Sequence, residues 1–251
     1  TLSEFIPNPT FAVVAAPGSH LTWYRAQNTE GKALRELTGK AIRPPQSWRT
    51  GEGRLEVLNE HHLHAALIFP TLASVIEERI GPRGDVSAAL FHSLNQWMAD
   101  EWGFAREDRL FAVPFISLTD VDAAVRELES VLERGARVVN IRPAPVPDIR
   151  GSRSFGYEEY DPFWARVVEA GILVSLHASD SGYSRYQSDW TGPMELLPFQ
   201  LDPFRLLTVK ERPIFDTMGA LCCHGLLTRF PDLRIASVEN GGDWVPSLLE
   251  H

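Results

Sequence analysis

The chain has 251 residues, 44% apolar, 10% aromatic and 23% charged, an ordinary composition for one large α/β domain that excludes disordered and collagen-like classes. Its 24 Lys and Arg against 33 Asp and Glu give a formal charge of −9, and with no Lys/Arg cluster this argues against nucleic acid or an anionic membrane as partner. No apolar stretch approaches the roughly twenty residues of a bilayer span, and the opening Thr1-Leu2-Ser3-Glu4 lacks the basic-then-apolar order of a secretion signal, so a cytosolic protein is expected.

Residues 1–53, punctuated by Pro7, Pro9, Pro17, Gly18, Pro44 and Pro45, show no sustained period and read as an irregular N-terminal insertion or cap on a single domain spanning 1–251. From Arg54 onward, strand-like and helix-like segments alternate, the pattern of βα units on a parallel sheet. Residues 65–70 form a first short apolar strand. Asp85 is placed to cap a helix whose apolar positions are Val86, Ala89, Leu90, Leu94, Trp97 and Met98. Residues 110–116 are the next strand. The clearest helix follows Asp120, with Val121, Ala124, Val125, Leu128, Val131 and Leu132 on one face and Gly135 as its stop.

Residues 137–142 are a third strand, ending in Arg142, and the Pro-, Arg-, Gly- and Ser-rich loop from Pro143 to Tyr160 is long enough to carry function. Asp161 then serves as an N-cap with Pro162 at the first helical position, and Gly171 closes that helix. The run 171–180 is a buried strand with His177 at its C-terminal end. Helical sequence resumes between Leu201 and Arg229, where Cys222 and Cys223 are expected as small buried hydrophobes, not a disulfide or a metal pair. A strand at 233–239 ends in Asn240-Gly241-Gly242, and Asp243 can cap a last helix through Leu249. These segments account for about five of the eight units of a (β/α)8 barrel, without internal repeats.

A barrel of that kind places its chemistry at the C-terminal ends of its strands, which makes His177 a metal ligand, a general base, or a hydrogen-bonded structural residue. Arg142 can clamp a substrate carboxylate or form a salt bridge; Asp180 can orient His177, bind substrate or cap the next turn. Glu239 can act as general base or accept from backbone amides of its turn. His62 and His64 have HxH spacing but precede the first strand, the wrong end for a barrel site, and read as surface residues. His224 reads as a helix-packing residue, and Tyr183 and Trp190, in the loop after His177, as aromatics lining a pocket or covering the core.

Three stretches, Phe69-Pro70-Thr71, residues 173–179 around His177, and residues 224–242 with Arg229-Phe230-Pro231 and the closing double glycine, resemble the amidohydrolase-related family typified by aminocarboxymuconate-semialdehyde decarboxylase. The resemblance covers about four fifths of the chain. It implies an α/β fold, a (β/α)8 TIM-barrel-like domain of the metal-dependent hydrolase type, incomplete in this chain because neither an opening HxH or ExH strand nor a final strand bearing aspartate is visible. It also implies one divalent metal, zinc or else manganese, with His177 as the middle-strand ligand. Glu239 stands where decarboxylase relatives carry a proton-handling histidine. The expected activity is non-oxidative decarboxylation of a small carboxylated or carbonyl compound, with Glu239 catalytic and Arg142, Phe69 and Asp180 binding substrate. Alternatives are metal-dependent hydrolysis of an amide, lactone or C–C bond, and a metal-free barrel acting as a binding or scaffold protein. The expected partners are a small-molecule substrate and a second copy of the chain in a homodimer.

Overall fold

The computed structural model describes residues 46–192, 204, 208 and 212–250. The five strands among these residues, β1 (Ala66–Ile68), β2 (Leu110–Ala112), β3 (Val138–Ile141), β4 (Leu173–His177) and β5 (Arg234–Val238), all lie within the apolar runs of the sequence. β1 pairs with β2, and β3 with β4 and β4 with β5, every pair parallel. A parallel bridge between Phe115 and Asn140 links the two groups: the Asn140 amide donates to the Pro114 carbonyl at 2.8 Å and the Ile116 amide to the Asn140 carbonyl at 3.0 Å. The strands therefore lie side by side in chain order, as successive βα units wound in one direction require. Among the described residues the sheet is not closed, and β5 has no strand on its outer edge.

The helices are α1 (Gly51–Glu60), α2 (Thr71–Ile80), α3 (Gly84–Glu101), α4 (Val121–Glu133), α5 (Asp161–Ala170), α6 (Ser184–Thr191), α7 (Arg212–Cys223), α8 (Leu226–Arg229) and α9 (Trp244–Leu249). In α4 the Asp120 carboxylate accepts from the Ala123 amide at 2.9 Å, and Ala124, Leu128 and Val131 are buried with Val121, Val125 and Leu132 packed beside them. The apolar stripe thus sits where its spacing places it. α5 buries Phe163, Trp164 and Val167 and ends on Gly171, whose φ of 64° is a left-handed stop that glycine adopts without a Cβ clash. The Trp164 indole N–H donates to the Phe155 carbonyl at 2.9 Å, so the largest fully buried side chain is also satisfied.

The two faces of the sheet divide the labour, because successive side chains on a strand alternate. Val139, Ile141, Val174 and Leu176 point one way and join the main core with α4 and α5. Asn140, Arg142, Ser175 and His177 share the opposite face, since Asn140 is in register with Ser175 and the others follow at steps of two. That inner face is buried yet polar.

Several sequence expectations are corrected. Residues 46–53 are not irregular: they form a short 3-10 turn and the start of α1, with the Thr50 hydroxyl accepting from the Gly53 amide at 3.1 Å. Two glycines in that first turn hide the helix from periodicity, and Gly53 is required because a Cβ there would meet the Ser47 backbone at 2.4 Å. Residues 1–45 of the expected cap lie outside the described residues. Asp85 is inside the first turn of α3, not its cap, and Asp161 is the first residue of α5, with its carboxylate taken by the Arg229 guanidinium at 2.8 Å. Cys222 and Cys223 are exposed. The buried positions of α7 are Pro213, Ile214, Thr217 and Leu221, and 3.6-residue periodicity turns the two cysteines away from that face. His224 is on the turn after α7, its ring stacked on Tyr157 at 4.1 Å.

Candidate active site at the C-terminal edge of the sheet

Because all five strands are parallel, their C-terminal ends share one edge. Phe69 follows β1, Arg142 follows β3, His177 ends β4, Glu239 follows β5, and Asp180 lies in the loop after β4. The Phe69 and His177 rings meet with centroids 4.7 Å apart and planes inclined at 43°. In a flat sheet their strands would be three spacings apart, about 14 Å. The sheet therefore curls toward its polar face, and Phe69 forms an apolar wall against the imidazole.

His177 is 8% exposed. Its Nδ1 lies 2.8 Å from the Ala178 carbonyl oxygen, which can only accept, so in the neutral ring Nδ1 carries the proton and Nε2 carries the lone pair. Nε2 is 3.4 Å from Oε2 of Glu239. A lone pair and a carboxylate oxygen are both acceptors, and facing each other at that distance they offer two donors to one metal ion. The tautomer is the one a metal-binding histidine adopts when its other nitrogen donates to a carbonyl. Glu239 is 71% exposed at its side chain and has a φ of 60°, a left-handed conformation rare for a residue with a Cβ.

Among the described residues no group of three or more His, Cys, Asp or Glu gathers to hold a metal ion. His177 fits as one ligand and Glu239 stands beside it, two donors at most where a zinc site takes about four. The described residues fit part of a metal centre and do not complete one.

Arg142 is 2% exposed and heavily engaged. Nε donates to Glu77 at 3.0 Å, Nη1 to Glu78 and to the Asp180 carbonyl at 2.9 Å, and Nη2 to the Pro145 carbonyl at 3.2 Å. Its planar fork ties α2 to the loops after β3 and β4. Asp180 is held in the same network: Oδ1 accepts from the Gly182 amide at 3.1 Å and Oδ2 pairs with Arg79 at 3.2 Å. Glu78 also pairs with Arg185 at 2.8 Å. Three carboxylates and three guanidinium groups thus balance at this rim. Farther along, the Tyr183 hydroxyl donates to Asp216, and burial, then that hydrogen bond, push its phenol pKa up, so it remains a neutral donor. Trp190 lies on α6 and is 69% exposed.

His62 and His64 are exposed before β1, away from the edge that carries His177. The sequence misses Glu77 and Glu78, for which α2 offers no signal, and Asn140 and Asn240, which bond the backbone around His177. Asn140 is legible in principle, as one amide inside the apolar run 138–141.

Parallel strands in chain order, with a histidine and a carboxylate at their C-terminal edge, define a βα protein with an open parallel sheet among the described residues. The chain belongs to the amidohydrolase family, whose profile Amidohydro_2 matches residues 20–251. It is similar to an amidohydrolase from Mycobacterium avium subsp. paratuberculosis, with 34% identity and a TM-score of 0.78, over 91% of this chain and 57% of that one. It shares its fold with a 2,6-dihydroxybenzoate decarboxylase from Rhizobium, at 20% identity and a TM-score of 0.55, over 84% of this chain and 60% of the other. A dihydroxybenzoic acid decarboxylase from Polaromonas, with bound manganese and the inhibitor 2-nitroresorcinol, matches at 18% identity and a TM-score of 0.54, over 81% and 60%. The chain thus spans about three fifths of the length of these structures. No curated protein sequence matches it. Among the described residues no helix is long and apolar enough to cross a membrane.

Proposed function

We propose that the protein is a metal-dependent enzyme of the amidohydrolase superfamily, built on a (β/α)8 barrel of which the described residues carry about five units. Its substrate is a small carboxylated or carbonyl compound, and its reaction is non-oxidative decarboxylation. The convergence of the His177 Nε2 lone pair and the Glu239 carboxylate on one point, walled by the Phe69 ring, carries this reading. A divalent metal, zinc or manganese, would take His177 as one ligand with Glu239 beside it, and would supply Lewis-acid polarisation of a bound oxygen. The manganese and the decarboxylase activity named for the fold neighbours lend support.

This chain's own residues have defined work in that reaction. Phe69 excludes water and packs against the substrate's apolar body. Glu239 relays a proton to the carbon that keeps the electron pair when its bond to the carboxylate breaks and CO2 leaves. Arg142 and Asp180 shape the rim, and the one Arg142 N–H left by the four bonds above is the donor available to a substrate carboxylate. Hydrolysis is the second reading, favoured by the exposure of Glu239: as a carboxylate base at 71% exposure it reaches water directly. A homodimer and a cytosolic setting go with either reading.

The test is release of labelled CO2 from a panel of carboxyl-labelled hydroxybenzoates with manganese or zinc added, beside hydrolysis of a lactone and amide panel. CO2 release that is lost in His177→Ala and Glu239→Gln supports decarboxylation. Hydrolysis without CO2 release overturns it in favour of the second reading. Failure to bind either metal removes both and leaves a binding or scaffold protein.

A further inference from the structure

The peptide unit that joins Leu176 to His177 is gripped from both neighbouring strands by asparagine side chains. On the β3 side, Asn140 Oδ1 accepts from the His177 backbone N–H at 3.3 Å. On the β5 side, Asn240 Nδ2 donates to the Leu176 carbonyl at 2.7 Å, and with its second hydrogen to the Val238 carbonyl at 2.9 Å. The next unit is pinned as well, because the Ala178 amide donates to the Val238 carbonyl at 2.9 Å. Both asparagines are buried, at 1% and 5% exposure.

We infer that Asn140 and Asn240 are a pair of positioning residues that lock the backbone through His177, and thereby hold the Ala178 carbonyl over Nδ1 so that Nε2 faces the mouth. Two observations beyond the bonds themselves support it. Asn140 Nδ2 has no partner among the described residues, although it is buried, and such an orphan donor costs about 1–3 kcal/mol. A leucine on that face would avoid the cost, so the side chain is explained by what Oδ1 does for His177. On the other side, the reach of Asn240 back to Val238 and Leu176 closes the turn that forces Glu239 to its φ of 60°, so one side chain places the backbone of both His177 and Glu239.

The inference rests on His177 being a working residue of the proposed site, and its test reads the ring and not the reaction. In the chain labelled with 15N-histidine, the ring-nitrogen shifts at alkaline pH report the tautomer, and amide hydrogen exchange reports the clamp. Wild type is expected to show His177 as the Nδ1–H form. Asn140→Ala is expected to speed exchange of the His177 amide at least tenfold, leave the Ala178 amide unchanged, and mix the tautomers; Asn240→Ala is expected to mix them too. The isosteric pair separates positioning from packing. Asn140→Asp keeps the acceptor and preserves both signatures, whereas Asn240→Asp loses the donor, sets a carboxylate against two carbonyls, and mixes the tautomers. An unchanged tautomer in folded Ala variants, or equal behaviour of the two Asp variants, overturns the inference. If the Ala variants do not fold, the Asp comparison decides alone. A preserved signature with no catalysis refutes only the proposed reaction.

Discussion

Replacing Arg142 separates a substrate clamp from a structural tie. Arg142→Met keeps the volume but leaves the Glu77 carboxylate, 6% exposed at its side chain, and Glu78, 13% exposed, without the cation between them. Stranding a buried carboxylate costs about 3–5 kcal/mol, a large share of a typical domain's 5–15 kcal/mol. Arg142→Lys keeps the charge but loses the fork, because one ammonium cannot reach Glu77, Glu78 and the Asp180 carbonyl together, so an intermediate loss is expected. Converting the group as a whole, with Glu77→Gln and Glu78→Gln added to Arg142→Met, should recover most of the stability, because no buried charge is then left unpaired. Urea unfolding followed by tryptophan fluorescence, to which the buried Trp164 contributes, measures all four proteins at constant m-value. An Arg142→Met midpoint equal to wild type, with only a raised KM for the substrate, would refute the structural reasoning and make Arg142 a pure substrate ligand.

Two further outcomes follow from local chemistry. Glu239→Gly relieves a left-handed backbone that costs a Cβ-bearing residue about 1 kcal/mol, so the glycine variant should unfold later than Glu239→Ala while both lose activity by roughly 10²–10⁴-fold; an alanine variant as stable as the glycine one would count against the strain. Burial, and next the charge of Glu159, push the Tyr160 phenol up to about 12 from 10, so its contribution is intact below pH 10 and is lost as pH rises toward 12. The shift of about two units corresponds to about 2–3 kcal/mol, and Tyr160→Phe should flatten that alkaline loss in unfolding measured at pH 9 and 12.

The inner-face geometry explains which parts of the site were legible. His177 and Glu239 stand at the ends of apolar runs bounded by turn residues, and parallel pairing brings such ends to one edge, so sequence order alone nominates them. Asp180 and Arg142 are nominated the same way, yet their partners are not: Glu77 is 65 residues from Arg142 in sequence, and only the packing of α2 over the curled sheet brings them together. α1 and α2 escape notice for a different reason, since α1 has two glycines in its first turn and α2 follows a proline with no side-chain cap.

By itself the sequence determined the order of the strands and of most helices and nominated His177, because alternation, capping and the apolar period are local properties of the chain, while three motif stretches carried the family resemblance. Tertiary structure decided the state of those residues. The Ala178 carbonyl selects the His177 tautomer, two asparagines grip its peptide, and Glu77 and Glu78 occupy most of Arg142. These are hydrogen bonds of a few ångströms between groups mostly tens of residues apart, and no local pattern encodes which of them form.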